Sequence, residues 1–325
     1  MIVPDYWAEA RRQHKTSTRQ VTVHRFGWSM SSQTDAQLMA EARADEALQR
    51  IVAGESLARR EQKTAYNGAD GIPIREEVLA RHGEQVITRN AYGAHCLNSP
   101  NVLFADVDFN PERGAKPALL AFAFLSAVSV ATGFALGSWG MAFGLLFFSL
   151  IAAAPIANLI ARLAVAAGGG SERIARKRIA SFISANPAWN LRLYRTPAGY
   201  RVMATHQPFD AKDEEVQRFF AQVSADPVYV RMCTNQNCFR ARLTAKPWRI
   251  GISAHMRPRP GIWPVRPESV AVRNQWIAEY EEKAAAFAAC RYMESMGSGV
   301  VHKAIKVVVD LHDRESRALS AAQIA

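Results

Sequence analysis

The chain has 325 residues, 49% of them hydrophobic and 21% charged, with a formal net charge of +11. That length suits two ordinary domains, and four irregularly spaced cysteines are too few for a disulfide scaffold. The charge is uneven: residues 1–116 are neutral overall, 117–167 hold only Arg162, and 168–325 carry a net +10, so the second soluble part holds nearly all the positive field.

The first residues, MIVPDYWAEARRQHK, lack the apolar core of about 7–15 residues that a signal peptide needs, so none is expected. Residues 19–28 alternate enough for a strand. Ser32 or Thr34 caps a helix over 35–52, whose Leu38, Met39, Ala42, Leu48, Ile51 and Val52 recur at near-helical spacing before Gly54 stops it. Residues 57–67 are polar and give no clear pattern. Residues 72–82 read as a turn into a short helix with Glu76 and Glu77 in its first turn. Residues 85–88 and 94–97 read as short strands. Residues 102–109 form a strand rich in β-formers, which Asn110-Pro111 ends.

From Pro117 to Ala161 the chain runs 45 residues without one Asp, Glu, Lys or Arg. About 20 apolar residues in helix span roughly 30 Å of hydrocarbon, so the run is long enough to cross twice. We expect one transmembrane helix over 117–136, a turn at 137–140, and a second helix over 141–163. Gly133 and Gly137 are four apart, as are Gly140 and Gly144, a spacing that lets helices approach closely in lipid. Trp139 suits a membrane interface, and Pro155 is a kink that membrane helices tolerate. The alternative, two buried helices of a soluble core, normally carries a polar face.

After the hairpin, Gly168-Gly169-Gly170 reads as a hinge and Ser171 as the cap of a basic helix over 172–184 with Arg173, Arg176, Lys177 and Arg178. Residues 189–196 and 200–206 make a hairpin through Pro197-Ala198-Gly199. A helix follows at 213–223, then strands at 239–243 and 248–253. A long helix over 268–296 ends at Gly297 and Gly299, and a strand follows over 300–310. The tail is polar and helical. The fold class expected is α+β: a mixed sheet with flanking helices, interrupted by the two-helix transmembrane hairpin. Residues 1–116 and 168–325 are then the two cytoplasmic parts of one domain, and 117–167 the hairpin.

Asp106 and Asp108 are two apart on a strand, so their carboxylates share a face. Two such charges favour solvation or a cation, and Mg²⁺ takes one or two carboxylates with water and phosphates. Mg²⁺ or Mn²⁺ beside a nucleotide is the expectation, and an ordinary solvated strand end is the alternative. Between Asp226 and Glu268 lie 41 residues with eight Lys or Arg and no acid. They include Arg240, Arg242, Lys246 and Arg249, with Phe239, Trp248 and Trp263 interleaved. Such a segment suits phosphates and unpaired bases, anionic lipid headgroups, or plain solvent. Cys96, Cys233, Cys238 and Cys290 are expected as free thiols.

Residues 102–109, VLFADVDF, resemble the first motif of the archaeo-eukaryotic primase and primase–polymerase superfamily, a hydrophobic strand ending in Asp-x-Asp. Residues 196–203, TPAGYRVM, are similar to its second motif, a turn into a strand that bears a His. Here Arg201 takes that position; His206 lies five residues on, and a Ser-x-His occurs only at Ser253-Ala254-His255. The third motif, an acid after a hydrophobic strand, is matched by Asp310. The resemblance implies a metal held by Asp106, Asp108 and Asp310 and a nucleotide contacted near Arg201. With Arg for His it implies binding rather than polymerisation. The chain also resembles bacterial membrane proteins that share its FRARLT and KPWR runs.

Two functions follow: a membrane-anchored nucleotide or nucleic-acid binder, or a non-enzymatic membrane protein whose basic domain docks on lipid or a protein partner. A sugar transferase using Asp106 and Asp108 is a third. Transport is disfavoured, since the hairpin has no intramembrane ionisable residue to form a path. Arg113 and Lys116 before the hairpin, and Arg162, Arg173, Arg176, Lys177 and Arg178 after it, place both soluble parts in the cytoplasm of a bacterial inner membrane.

Overall fold

A computed structural model describes residues 3–17, 20–59, 61, 73–109, 116–259 and 263–325. Among the described residues it is a mixed α+β protein with eight α-helices and four separate sheets, not the single mixed sheet expected. Arg113, which the topology argument uses, lies outside the described residues.

The chain opens with β1 (Tyr6–Lys15), a strand missed in the sequence, paired antiparallel to β2 (Gln20–Ser29). Helix α1 (Gln33–Val52) lies across this ribbon, and the Asp35 N–H donates to the Ser32 hydroxyl at its N-cap. The contact is a seam of small residues, Ala8, Ala10, Ala36, Ala40 and Ala44. It is so close that a Cβ on Gly27 would stand 2.2 Å from the Ala36 carbonyl oxygen.

Next come β3 (Glu77–His82), β4 (Gln85–Arg89), β5 (His95–Ser99) and β6 (Phe104–Asp108). Residues 77–82 are thus strand, not helix. They pair with β4 across a turn at Gly83, which takes φ +61°, and cross-strand pairing overrides the local helical signal. Two apolar helices follow, α2 (Lys116–Ala135) and α3 (Trp139–Ala167). Both are long and apolar enough to cross a membrane. They pack on each other: Gly133 lies against Ala142, and the Ser129 and Ser149 hydroxyls meet at 3.1 Å.

Helix α4 (Ser171–Ala185) starts at the expected cap, one residue before the expected first turn, with Gly170 in the N-cap position. The glycine triplet is no loose hinge. Gly169 and Gly170 take positive φ, and their N–H groups donate to the carbonyls of Ala166 and Val165, the double closure of a Schellman helix end.

Strands β7 (Asn190–Arg195) and β8 (Gly199–Ala204) form the expected hairpin. Helix α5 (Glu214–Val223) is as read; α6 (Pro227–Gln236) was missed, although Asp226 at its N-cap and Pro227 at its first turn announce it. Strand β9 (Phe239–Arg242) adds to β5, giving the order β3-β4-β5-β9. Residues 248–253 are not a strand: Pro247–Arg249 is a 3-10 turn, since proline removes a ladder donor.

The long helix expected over 268–296 stops early. It divides into α7 (Pro267–Ala284), β10 (Phe287–Ala288) and β11 (Arg291–Gly297), which completes the antiparallel sheet β11-β7-β8-β6. Residues 300–310 hold no strand. They enter α8 (Lys303–Glu315), whose buried Ile305, Val308, Val309 and His312 keep helical spacing despite the run of valines. The tail is helical only to Glu315, the end of α8; it finishes in β12 (Gln323–Ile324), parallel to β10.

The main core lies on one face of β11-β7-β8-β6, where Val107, Leu191, Leu193 and Val202 join Ile179 and Phe182 of α4 and Val216 and Phe219 of α5. Directly paired residues share a face, so the register Phe104↔Met203, Asp106↔Arg201 and Tyr194↔Arg201 sets the other side. There α8 covers one end: His312 packs on Phe104 and Tyr194, and the Tyr194 hydroxyl donates to Asp313 at 2.7 Å. The uncovered end carries Asp106, Asp108 and Arg201.

Candidate functional site

That uncovered end forms the floor of a cavity of about 210 Å³. Strand β6 delivers Asp106 and Asp108, and β8 delivers Arg201 opposite Asp106. Arg201 is fully buried. Its Nε donates to Asp106 Oδ1 at 3.0 Å and one terminal nitrogen donates to the Arg242 carbonyl at 2.7 Å. Burial alone would pull this guanidinium's pKa down, but the Asp106 carboxylate outweighs it and the net shift is upward. Opposite Asp108 stands Gly199, where a Cβ would come 2.1 Å from the Val107 carbonyl oxygen. The Thr196–Gly199 turn therefore closes tightly against the strand end, and the Gly199 N–H donates to the Thr196 hydroxyl at 3.1 Å.

One wall comes from β9. Arg240 pairs with Glu76 in a buried contact, and the same Glu76 oxygen accepts from the Thr88 hydroxyl at 2.6 Å. Asn98 donates to that Thr88 oxygen at 2.9 Å, so the ion pair sits in a buried polar network across β4, β5 and β9. A second wall is the start of α6. The Asp226 N–H donates to the Asp106 carbonyl at 3.0 Å, and its carboxylate accepts from the Val228 and Tyr229 N–H groups. The Tyr229 hydroxyl ties this wall to both sheets, donating to the Phe104 carbonyl and accepting from the Arg240 N–H. Lys246 at the N-cap of the 3-10 turn, Arg249 at its last residue, and Arg242 close the cavity. Beside them, the exposed Trp248 meets Tyr92 edge to face at 5.3 Å, and the Lys246 ammonium lies 5.3 Å over the Trp248 ring.

Charges at the two levels differ. On the floor and first wall, Asp106 and Glu76 are engaged by Arg201 and Arg240. At the mouth, Arg242, Lys246 and Arg249 crowd one another. Burial lowers the pKa of Lys246, and the neighbouring Arg242 and Arg249 lower it further; Arg249 moves down from burial and Arg242. Asp108 has no hydrogen-bond partner among the described residues. Burial, then Asp106 and Asp226, pushes its carboxyl up. An anion with several oxygens would relieve this crowding of cations.

The structure thus brings seven sequence-predicted residues to one cavity: Asp106, Asp108, Arg201, Arg240, Arg242, Lys246 and Arg249. Three others are elsewhere. Asp310 lies on the exposed side of α8 and pairs with Lys306 one turn away, because its segment is helix and not strand. His206 packs on Trp189 and Phe209, and its Nδ1 accepts from the Asn190 N–H. His255 is exposed outside the cavity. Reading the sequence missed Glu76, Asp226, Tyr92 and Tyr229. The Asp-Pro signal of a helix start marks Asp226; nothing local marks the others.

No cluster of three His, Cys, Asp or Glu suited to a metal occurs among the described residues. Asp106 is engaged by Arg201 and Asp226 caps α6, which leaves Asp108. A resident ion held by Asp106, Asp108 and Asp310 does not fit this arrangement. All four cysteines are free and buried. Neither a protein-family model, nor a curated protein, nor a solved structure matches the chain.

Proposed function

We propose that the protein is a membrane-anchored binder of a phosphate-bearing ligand, a nucleotide or the end of a nucleic-acid strand, with the phosphates held by Arg242, Lys246 and Arg249. The observation that carries this reading is the convergence of these three cations around the mouth of one cavity, none of them in an ion pair among the described residues and with Asp108 the nearest carboxylate. Trp248 and Tyr92 beside them offer a face on which a base stacks. The resemblance to primase–polymerases adds support, since its first two motifs supply the adjacent strands of the floor. Its third motif finds no counterpart at Asp310.

Binding without turnover is the form of the proposal. Arg201 stands where the resembled family bears a His, and an Arg stays protonated and cannot act as a base. The reading needs no resident Mg²⁺ or Mn²⁺. The test is thermal stability of the detergent-solubilised protein, because a ligand that binds only the folded state raises Tm. A nucleoside triphosphate should raise it with or without Mg²⁺, and the Lys246→Gln, Arg249→Gln double variant should lose the shift. No shift at millimolar nucleotide would end the proposal.

For location, we read α2 and α3 as a transmembrane hairpin of a bacterial inner membrane with both soluble parts cytoplasmic. Phe124, Phe134, Phe143, Phe147 and Phe148 are exposed along them, which suits lipid contact. Reporter fusions at residue 138 and at the C-terminus should fall on opposite sides. Lipid docking by residues 226–268 is the weaker reading, because Arg240, Arg242, Lys246 and Arg249 turn into a cavity and not outward.

A further inference from the structure

A second cavity, of about 570 Å³, lies where the apolar hairpin joins the soluble body. Gly168, the C-cap of α3, forms one side, and Gln222 of α5 contributes a polar side chain. The remaining lining comes from α4: Ile174, Lys177, Arg178 and Phe182, with Ser181 and Ala185 between and beyond. Positions 174, 177, 178, 181 and 185 fall on one helical face, so the cleft follows about 16 Å of α4 at 1.5 Å per residue. It places two cations beside apolar side chains.

The charge around it is unbalanced. Between 173 and 178, α4 exposes Arg173, Arg176, Lys177 and Arg178. Arg176 is paired with Glu294 at 2.6 Å. The acid of this helix, Glu172, is already engaged by Arg195 and by the Tyr200 hydroxyl. Arg173, Lys177 and Arg178 have no ion-pair or hydrogen-bond partner among the described residues. The carbonyls of Ala164, Val165 and Ala166 at the end of α3 already accept from the N–H groups of residues 168–170, so they do not compete for the two cations of the cleft.

We infer that this cleft holds an anionic phospholipid of the leaflet the hairpin enters, with its phosphate on Lys177 and Arg178 and its glycerol and upper chain against Ile174 and Phe182. The inference rests on the membrane reading of α2 and α3 and is independent of the phosphate-ligand cavity. A free phosphate would use the cations alone; the apolar wall and the junction with α3 favour a lipid. A bound lipid would fix α4, and with it the sheet that carries Asp106 and Arg201, against the membrane surface.

The test uses the full chain in a neutral detergent, with native mass spectrometry reading retained lipid during titration with phosphatidylglycerol or phosphatidylcholine. Phosphatidylglycerol should be retained in preference. The Lys177→Gln, Arg178→Gln double variant should weaken retention about 30-fold, at roughly fivefold per basic side chain near an anionic surface. The charge-conserving Lys177→Arg, Arg178→Lys double variant should keep it, which separates lost charge from lost folding. Arg266→Gln, at an 85% exposed side chain, should also keep it. Equal retention of both lipids, unchanged retention in the Gln variant, or displacement by glycerol 3-phosphate at similar concentration would overturn the inference. Release of the chain from membranes by alkaline carbonate would overturn the anchoring and the lipid site together. An anchored chain with no lipid preference would sink the lipid site alone.

Discussion

Between Pro117 and Ala161 no side chain is charged, yet the large apolar groups there point outward. Among the sheets the arrangement is inverted: Arg75, Arg89, Arg201, Arg240 and Arg273 are all buried, and each meets a carboxylate. Hydropathy alone would have placed these groups the other way round. The difference teaches that a guanidinium is buried where a carboxylate, or for Arg25 the carbonyls of Ala58 and Arg59, can be brought to it, while the exposed phenylalanines lie on helices apolar enough to cross a membrane. Arg240 and Glu76 are 164 residues apart in the chain.

The largest expected effect breaks the inverted half. Glu76→Ala leaves Arg240 buried without its carboxylate and strips the Thr88 hydroxyl of its acceptor, and should cost about 3–5 kcal/mol in thermal or denaturant unfolding. Asp106→Ala should cost a similar amount because Arg201 is 2% exposed. Arg201→Met should cost less, since the Asp106 side chain is 36% exposed and can turn to water. Equal losses for the two members of that pair would show that burial asymmetry is not what matters.

Breaking the apolar half should cost less. A Cβ at Gly133 would stand 2.3 Å from the Ala142 Cβ, so Gly133→Val should force α2 and α3 apart, at about 1–3 kcal/mol by the usual cost of overpacking. Protease sensitivity of the hairpin in detergent should rise while nucleotide binding is unchanged. At the cavity mouth, Lys246→Gln and Arg249→Gln should each weaken phosphate-ligand affinity roughly tenfold, as loss of one charge-assisted hydrogen bond predicts. Calorimetric titration checks this, and the wild-type affinity should fall with salt.

The smallest effect concerns Asp108. Its carboxyl titrates above the ordinary range in the folded chain, so its ionisation opposes folding at neutral pH. That cost disappears as pH falls through the raised folded value. Asp108→Asn should therefore raise Tm at neutral pH, and the gain should vanish in acid where wild type is already protonated. A gain that persists there would assign the effect to something other than charge.

How much of this was legible follows the same division. The apolar run gave both helices of the hairpin to within a few residues, because hydropathy is a one-dimensional signal. The Asp-x-Asp strand and the basic segment were legible as chemistry, and they do meet. The failures were long-range. The Glu76 carboxylate signals the first turn of a helix, while the pairing of β3 with β4 decides otherwise. The three valines before Asp310 predict a strand, while helical spacing buries Val308 and Val309 and leaves Asp310 outside. No local signal could have linked Asp226 to Asp106, since their contact depends on where α6 starts in space.

The two apolar helices are unequal, 20 residues for α2 and 29 for α3. At 1.5 Å per residue these are about 30 Å and 44 Å. A hydrocarbon layer of roughly 30 Å matches the first and is outrun by the second. In the proposed membrane frame the surplus is a rigid post that runs past Arg162 through the headgroup layer, so that the cleft beside Gly168 opens among the headgroups. Its top is the double-bonded glycine corner, where a side chain at Gly169 or Gly170 would be strained by the positive φ. The post sets a standoff height for the basic cavity, and the corner sets its bearing. In a thicker bilayer the post would be drawn down into the lipid, and the cavity mouth would move toward the membrane by the same distance.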